Sequence, residues 1–137
     1  MNTEVAGTSA VFARLRAADS KVFVGSGFPQ HVVSAIVKNM AWDVDGALSS
    51  DALGAGRPDP IMVNKAMELS GVIDRSRVVK VGDTVVDIDE GRNAGVVTVA
   101  VLTGTQSRQK LEAAKPDFII ESVAELPKLL GLPQASI

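Results

Sequence analysis

Five short β-branched runs punctuate this chain: Lys21 to Gly25 (KVFVG), Val44 to Leu48, Val78 to Val81 (VVKV), Val97 to Leu102 and Phe118 to Ile120. Several are apolar on consecutive residues instead of alternating, which is the pattern of strands buried on both faces of a parallel sheet. Segments with helical spacing lie between them. From Pro29 to Met40, the residues Val32, Val33, Ile36, Val37 and Met40 share one helical face, and Pro29 suits a first turn. Further helices are expected from about Pro60 to Ser70, stopping at Gly71, and from about Val85 to Ala94, closed by Gly95 in a left-handed cap. Another covers Ser107 to about Lys115. The last begins at Ser122, whose side chain forms a capping box with Glu125 ahead of Pro127. Thr8 to Ala18, with Val11, Phe12 and Leu15, reads as a helix before all of these. This alternation predicts an α/β fold, a doubly wound, three-layer parallel sheet of about five strands with right-handed crossovers. The 137 residues, 46% of them hydrophobic, suffice for a single domain over 1–137.

Charge and composition narrow the function. Fourteen Lys and Arg against 16 Asp and Glu give a net charge of −2, with no basic excess to displace counterions from a nucleic acid. Aromatic residues are 4% of the chain, too few for base-stacking platforms. The absence of cysteine removes disulfides, thiolate metal sites and a cysteine nucleophile, and fits a reducing compartment. No window approaches the roughly 20 apolar residues of a membrane span. The opening MNTEVAGTSA lacks the basic start and apolar run of a signal peptide. A cytoplasmic protein with no membrane or nucleic-acid partner is the expectation.

In open α/β sheets, ligands bind beyond the carboxyl ends of the strands. After the first strand comes Ser26-Gly27-Phe28-Pro29, a hydroxyl and a glycine at a helix start, where backbone N–H groups favour an anion. After the third comes Gly82-Asp83-Thr84-Val85-Val86-Asp87. Its two carboxylates, four residues apart, could converge on one hard cation, for which oxygen ligation suits Mg²⁺. Spacing alone equally accommodates Asp83 as a helix cap and Asp87 as a complement to the helix dipole. The long segment Ser49 to Asp59 (SSDALGAGRPD) reads as an irregular functional loop. It places Arg57 between Gly56 and Pro58, either as a cation for a bound phosphate or as a solvated surface residue.

SGFP after an apolar strand, GRPDP ahead of a helix and VGDTVVDIDEGRNAG after another strand resemble, in that order, the second, third and fourth motifs of the haloacid dehalogenase (HAD) superfamily of phosphohydrolases. The spelling is most similar to the phosphonatase-like group, as is the tail VLTGTQSRQKLEAAKPDFIIESVAELPKLL, and the resemblance runs from about Gly7 onward. It implies the superfamily's Rossmann-like core. Ser26 and the Gly27 amide would bind the transferring phosphoryl group of a small phosphate ester or phosphonate. Arg57 would stabilise the charged nucleophile and phosphoryl oxygens, and Asp83 would ligate Mg²⁺. Asp87 would support the metal, directly or through water. Phosphoryl transfer needs such positioning and charge neutralisation more than covalent machinery.

The family's first motif, a strand ending in Asp-x-Asp-x-Thr that supplies the aspartyl nucleophile, has no counterpart ahead of Ser26. Only Glu4 and Asp19 are acidic in the first 20 residues. The cap insertion that follows that motif is also absent. In the family's sheet this strand sits centrally, between the strands leading to Ser26 and Asp83, so two buried-type edges should be left unpaired. Asp43-Val44-Asp45-Gly46-Ala47 imitates the motif, but it follows the second motif, has Ala where Thr is wanted and succeeds a helix. Gly25-Ser26-Gly27 imitates a dinucleotide fingerprint, but Gln30 replaces its third glycine and Pro29 interrupts it, so NAD is not expected. His31 is expected at the surface or as a cap, and Trp42 as packing. The leading reading is therefore a partial hydrolase core, inactive as this chain. The alternative is a noncatalytic α/β module, either receiver-like or a homodimer that exchanges strands.

Overall fold

The computed structural model describes residues 8–42, 44–56 and 58–130, so the expectations placed on Asp43 and Arg57 fall outside the described residues. Helices and parallel strands alternate as expected: α1 (Thr8–Ala17), β1 (Phe23–Ser26), α2 (Gln30–Met40), β2 (Gly46–Ser49), α3 (Ser50–Leu53), α4 (Ile61–Ser70), β3 (Val79–Gly82), α5 (Val85–Ala94), β4 (Val97–Val101), α6 (Arg108–Ala113), β5 (Phe118–Ile120) and α7 (Leu126–Leu129). All pairings are parallel, but the strands form two sheets, β1-β2 and β3-β4-β5. The strands that lead to Ser26 and Asp83, β1 and β3, are therefore in different sheets. Among the described residues no strand pairs with the outer edge of β1 or β3, which is where the sequence predicts a missing central strand.

The strand β4 explains the uninterrupted apolar runs. Val99 and Val101 pack with Val11 and Leu15 of α1, Ile120 of β5 and Leu126 of α7. On its other face, Ala100 packs with Ile88 of α5 and Leu111 of α6. Both faces are covered, so both parities of the strand are apolar. A further cluster joins Val63 and Met67 of α4 to Ala94 and Val96. The first of these clusters also takes in Val22 and Val44, from the approaches to β1 and β2, so the two sheets share a core.

The outline departs from expectation in local detail. The first two strands start later than predicted because the Asp45 carboxylate accepts the Val22 N–H (2.7 Å) and a hydrogen bond from Arg16 (3.1 Å). The Val22 N–H is thereby spent on a side chain rather than on the strand ladder. Asp45 thus ties α1 to the amino-terminal end of β2, the end away from any site at the carboxyl ends. The loop from Ser49 is not wholly irregular: Ser49 accepts the Ala52 N–H and caps the single turn α3. Gly71 and Gly95 end α4 and α5 as predicted, Gly95 in the expected left-handed conformation (φ 72°) and Gly71 in the same one (φ 76°). His31 is exposed, and the Trp42 ring meets Phe12 edge-on at 5.4 Å. No helix of the described residues is long and apolar enough to cross a membrane.

Candidate functional site

At the carboxyl ends of the strands lies an open cavity of about 720 Å³. Its walls come from both sheets: Gly27 after β1, Ser50 and Asp51 after β2, Gly54 to Gly56 in the loop, Thr84 and Val86 after β3, and Gln106 after β4. Of the residues singled out from sequence, Gly27 lines the cavity itself, while Ser26 and Asp83 are the chain neighbours of lining residues. Asp87, the chain neighbour of the lining residue Val86, is buried. Arg57 is outside the described residues, and its neighbour Gly56 is on the wall.

The Ser26 Oγ accepts the Phe28 N–H (3.1 Å), a local turn that fixes the hydroxyl where β1 ends. Phe28 in turn is held by Ser49, whose hydroxyl donates to the Phe28 carbonyl. This bond couples the ends of β1 and β2. Gln30 adds a second tie, from its side-chain amide to the Ala47 carbonyl (3.0 Å).

At the other sheet, Asp87 is largely buried, and its Oδ2 accepts from the Asp83 N–H (3.0 Å), the Thr84 N–H (3.1 Å) and the Thr84 hydroxyl (2.9 Å). The Thr84 hydroxyl also accepts the Asp87 N–H, which makes a reciprocal capping box at the start of α5. The cap is therefore Thr84 rather than Asp83, and Asp87 holds the turn that presents Asp83. Asp87 Oδ1 lies 3.9 Å from the Lys80 ammonium, which is also 3.4 Å from Glu90, a carboxylate with no exposed surface. Sequence reasoning missed this buried ionic group. Its signal was Lys80 itself, a charge inside the otherwise apolar run VVKV, since buried charges are paired.

Two glycines make this arrangement possible. A Cβ on Gly82 would come within 2.1 Å of Asp87 Cβ, and one on Gly104 within 2.3 Å of Asp83 Oδ2. The segment after β4 thus packs directly on the Asp83 side chain. Its Gln106 accepts the Val85 N–H (2.8 Å), filling one of the open donors at the start of α5.

The donor chemistry at Asp83 is a hard carboxylate oxygen, the type that Mg²⁺ prefers. Asp87 Oδ2 already receives three hydrogen bonds, and no three His, Cys, Asp or Glu residues gather as a metal site among the described residues. Among the described residues singled out from sequence, Asp83 is thus the carboxylate whose chemistry fits such an ion.

Comparison with known proteins follows the same lines. The HAD-hydrolase-like family matches residues 54–126. A phosphonoacetaldehyde hydrolase of Bacillus cereus (strain B4264) is 32% identical, in an alignment covering 93% of this chain and 58% of that protein. The crystal structure of a phosphonoacetaldehyde hydrolase-like protein from Oleispira antarctica superposes with a TM-score of 0.84 at 24% identity, covering 95% of this chain and 56% of the other. A HAD family hydrolase from Deinococcus radiodurans R1, crystallised with bound phosphate and sodium, gives a TM-score of 0.84 at 21% identity over 94% of this chain and 59% of its own. These two likenesses speak for the fold. The chain spans little more than half the length of each of these relatives.

Proposed function

Given that the chain belongs to the HAD-like hydrolase family, we propose that it is a partial hydrolase core that binds a small phosphate ester or phosphonate together with Mg²⁺, and that it does not turn substrate over as this chain. One observation carries the reading. The cavity is walled by the segments after β1, β2, β3 and β4, and β1 and β3, between which the family's nucleophile strand would lie, each have one edge with no partner strand among the described residues.

In this reading the whole chain acts as one incomplete core domain, and its residues divide the work. The Ser26 hydroxyl and the Gly27 amide donate to phosphoryl oxygens at the end of β1. Arg57, next to the wall residue Gly56, neutralises the charge of the bound group. Asp83 holds Mg²⁺, which when bound would offset the negative charge of the phosphoryl oxygens. Asp87 is a positioning residue, because its hydrogen bonds to the Asp83 and Thr84 amides set the turn from which Asp83 projects. No residue in an Asp-x-Asp-x-Thr setting precedes Ser26 to attack phosphorus. Asp45, half of the imitation motif, is engaged with Val22 and Arg16 at the opposite end of β2.

The test is phosphatase activity of the purified chain on an aryl phosphate, with and without Mg²⁺, beside Asp43→Asn and Asp83→Asn. The expected result is no Mg²⁺-dependent turnover in any of the three. Turnover in the wild type that Asp43→Asn abolishes would overturn the reading, because it would put a nucleophile at Asp43. A second reading, a noncatalytic module that completes its sheet by pairing with another copy, is favoured by the unpaired edges of β1 and β3.

A further inference from the structure

The cavity has one buried polar wall residue whose side chain holds no other described residue. Thr84 Oγ1 is committed to the α5 cap, Gln106 Oε1 accepts the Val85 N–H, and Asp51 stands exposed. Ser50 differs from all three. It is only 3% exposed, it lines the cavity, and its hydroxyl makes no hydrogen bond to a described residue. Its neighbour Ser49 shows what a structural serine looks like at this position of the chain. Ser49 is wholly buried, and its hydroxyl donates to the Phe28 carbonyl and accepts the Ala52 N–H. The two serines are equivalent in sequence and opposite in use.

The Ser50 side chain is almost wholly covered, and the little of it that stays open is on the cavity wall. The Ser50 Oγ lies 3.8 Å from the point where a Cβ on Gly27 would stand, so it faces the backbone segment that lines the cavity at the end of β1. We infer that Ser50 is an anion-binding residue, whose hydroxyl donates a hydrogen bond to an oxygen of a tetrahedral oxyanion, a phosphate or phosphonate group, seated beside Gly27. The inference rests on the oxyanion reading of the site proposed above and adds a donor from β2 to those assigned on β1.

Inorganic phosphate is the probe, titrated into the wild type, Ser50→Ala, Ser49→Ala and Ser26→Ala, and followed by ³¹P line broadening, with Tm measured for each protein. Ser50→Ala removes an oxygen that holds nothing in the protein, so its Tm should equal or exceed that of the wild type. Its phosphate affinity should fall about tenfold or more, the loss of one hydrogen bond to a charged group. Ser49→Ala should lower Tm instead. Phosphate affinity in Ser50→Ala equal to the wild type, while Ser26→Ala binds weakly, would overturn the inference and leave the site reading standing. A fall in Tm in Ser50→Ala as large as that in Ser49→Ala would overturn it too, by making the hydroxyl structural. A wild type that binds no phosphate would overturn the site reading itself, and Ser50 with it.

Discussion

Asp83 and Asp87 look interchangeable in the string GDTVVD, yet the atoms around them give them different work. Asp87 Oδ2 gathers three donors from the Asp83–Thr84 turn, while Asp83 stands on the rim under Gly104. Asp83→Asn is expected to remove most Mg²⁺ binding, and calorimetry giving the wild-type affinity would refute the assignment. Asp87→Ala should cost about 1–2 kcal/mol of stability in urea unfolding, the range for losing a helix cap. It should also weaken Mg²⁺ binding indirectly, through the loosened turn. Gly104→Ala makes a sharper test, because φ at Gly104 is not positive and the nearest obstacle is the Asp83 side chain, 2.3 Å from the new Cβ. Overpacking of this kind costs about 1–3 kcal/mol, and Mg²⁺ affinity should drop with it. The carboxylate pair and its place after a strand were legible in the sequence. The division of labour was not, because spacing reports where a side chain starts and not which donors surround it. The duty of Gly104, a contact across 21 positions of chain, could not be read either.

Among the elements, the regular helices and the buried strands were legible because periodicity and consecutive apolar residues report burial directly. The misplaced boundaries arise where a side chain takes a backbone partner. Asp45 does so at Val22, and Ser49 does so at Ala52, which starts a helical turn in a segment rich in small residues. The carboxyl-terminal capping box at Ser122 and Glu125 forms, but it opens a 3-10 turn, Val123–Glu125, and only then α7. Pro127 has no N–H to give the Val123 carbonyl, so that carbonyl is taken one residue earlier by the Leu126 N–H. The segment after β4 is the element with most influence on the site, since Gly104 packs on Asp83 and Gln106 holds the first N–H of α5. Gln106→Ala should cost about 1 kcal/mol, one hydrogen bond, measured by urea unfolding. Gln106→Glu keeps an acceptor and adds negative charge at a helix start, which is favourable. Its stability should therefore match or exceed the wild type, and a loss equal to that of Gln106→Ala would count against the clasp.

At the scale of the molecule, the decisive feature is the parting of the sheet. The strand β1 has β2 on one side and β3 has β4 on one side, and among the described residues their remaining edges have no partner strand. Edge strands in native proteins are short, charged or covered, because open N–H and C=O groups recruit other strands. Here β1 is short but carries FVGS, β3 is apolar apart from Lys80, whose ammonium is taken up by Asp87 and Glu90, and Phe28 and Val86 stand exposed beyond their ends. Such edges should associate. Light scattering across a concentration series is expected to give a mass that rises above the monomer, and a monomer at every concentration with a cooperative melt would refute this. Association and catalysis then separate cleanly. A second copy can offer backbone hydrogen bonds to β1 and β3, but its sequence holds no Asp-x-Asp-x-Thr strand, so the assembled form should remain without phosphatase activity. Activity that appears with the oligomer would mean that a carboxylate of one copy reaches phosphorus in the cavity of the other.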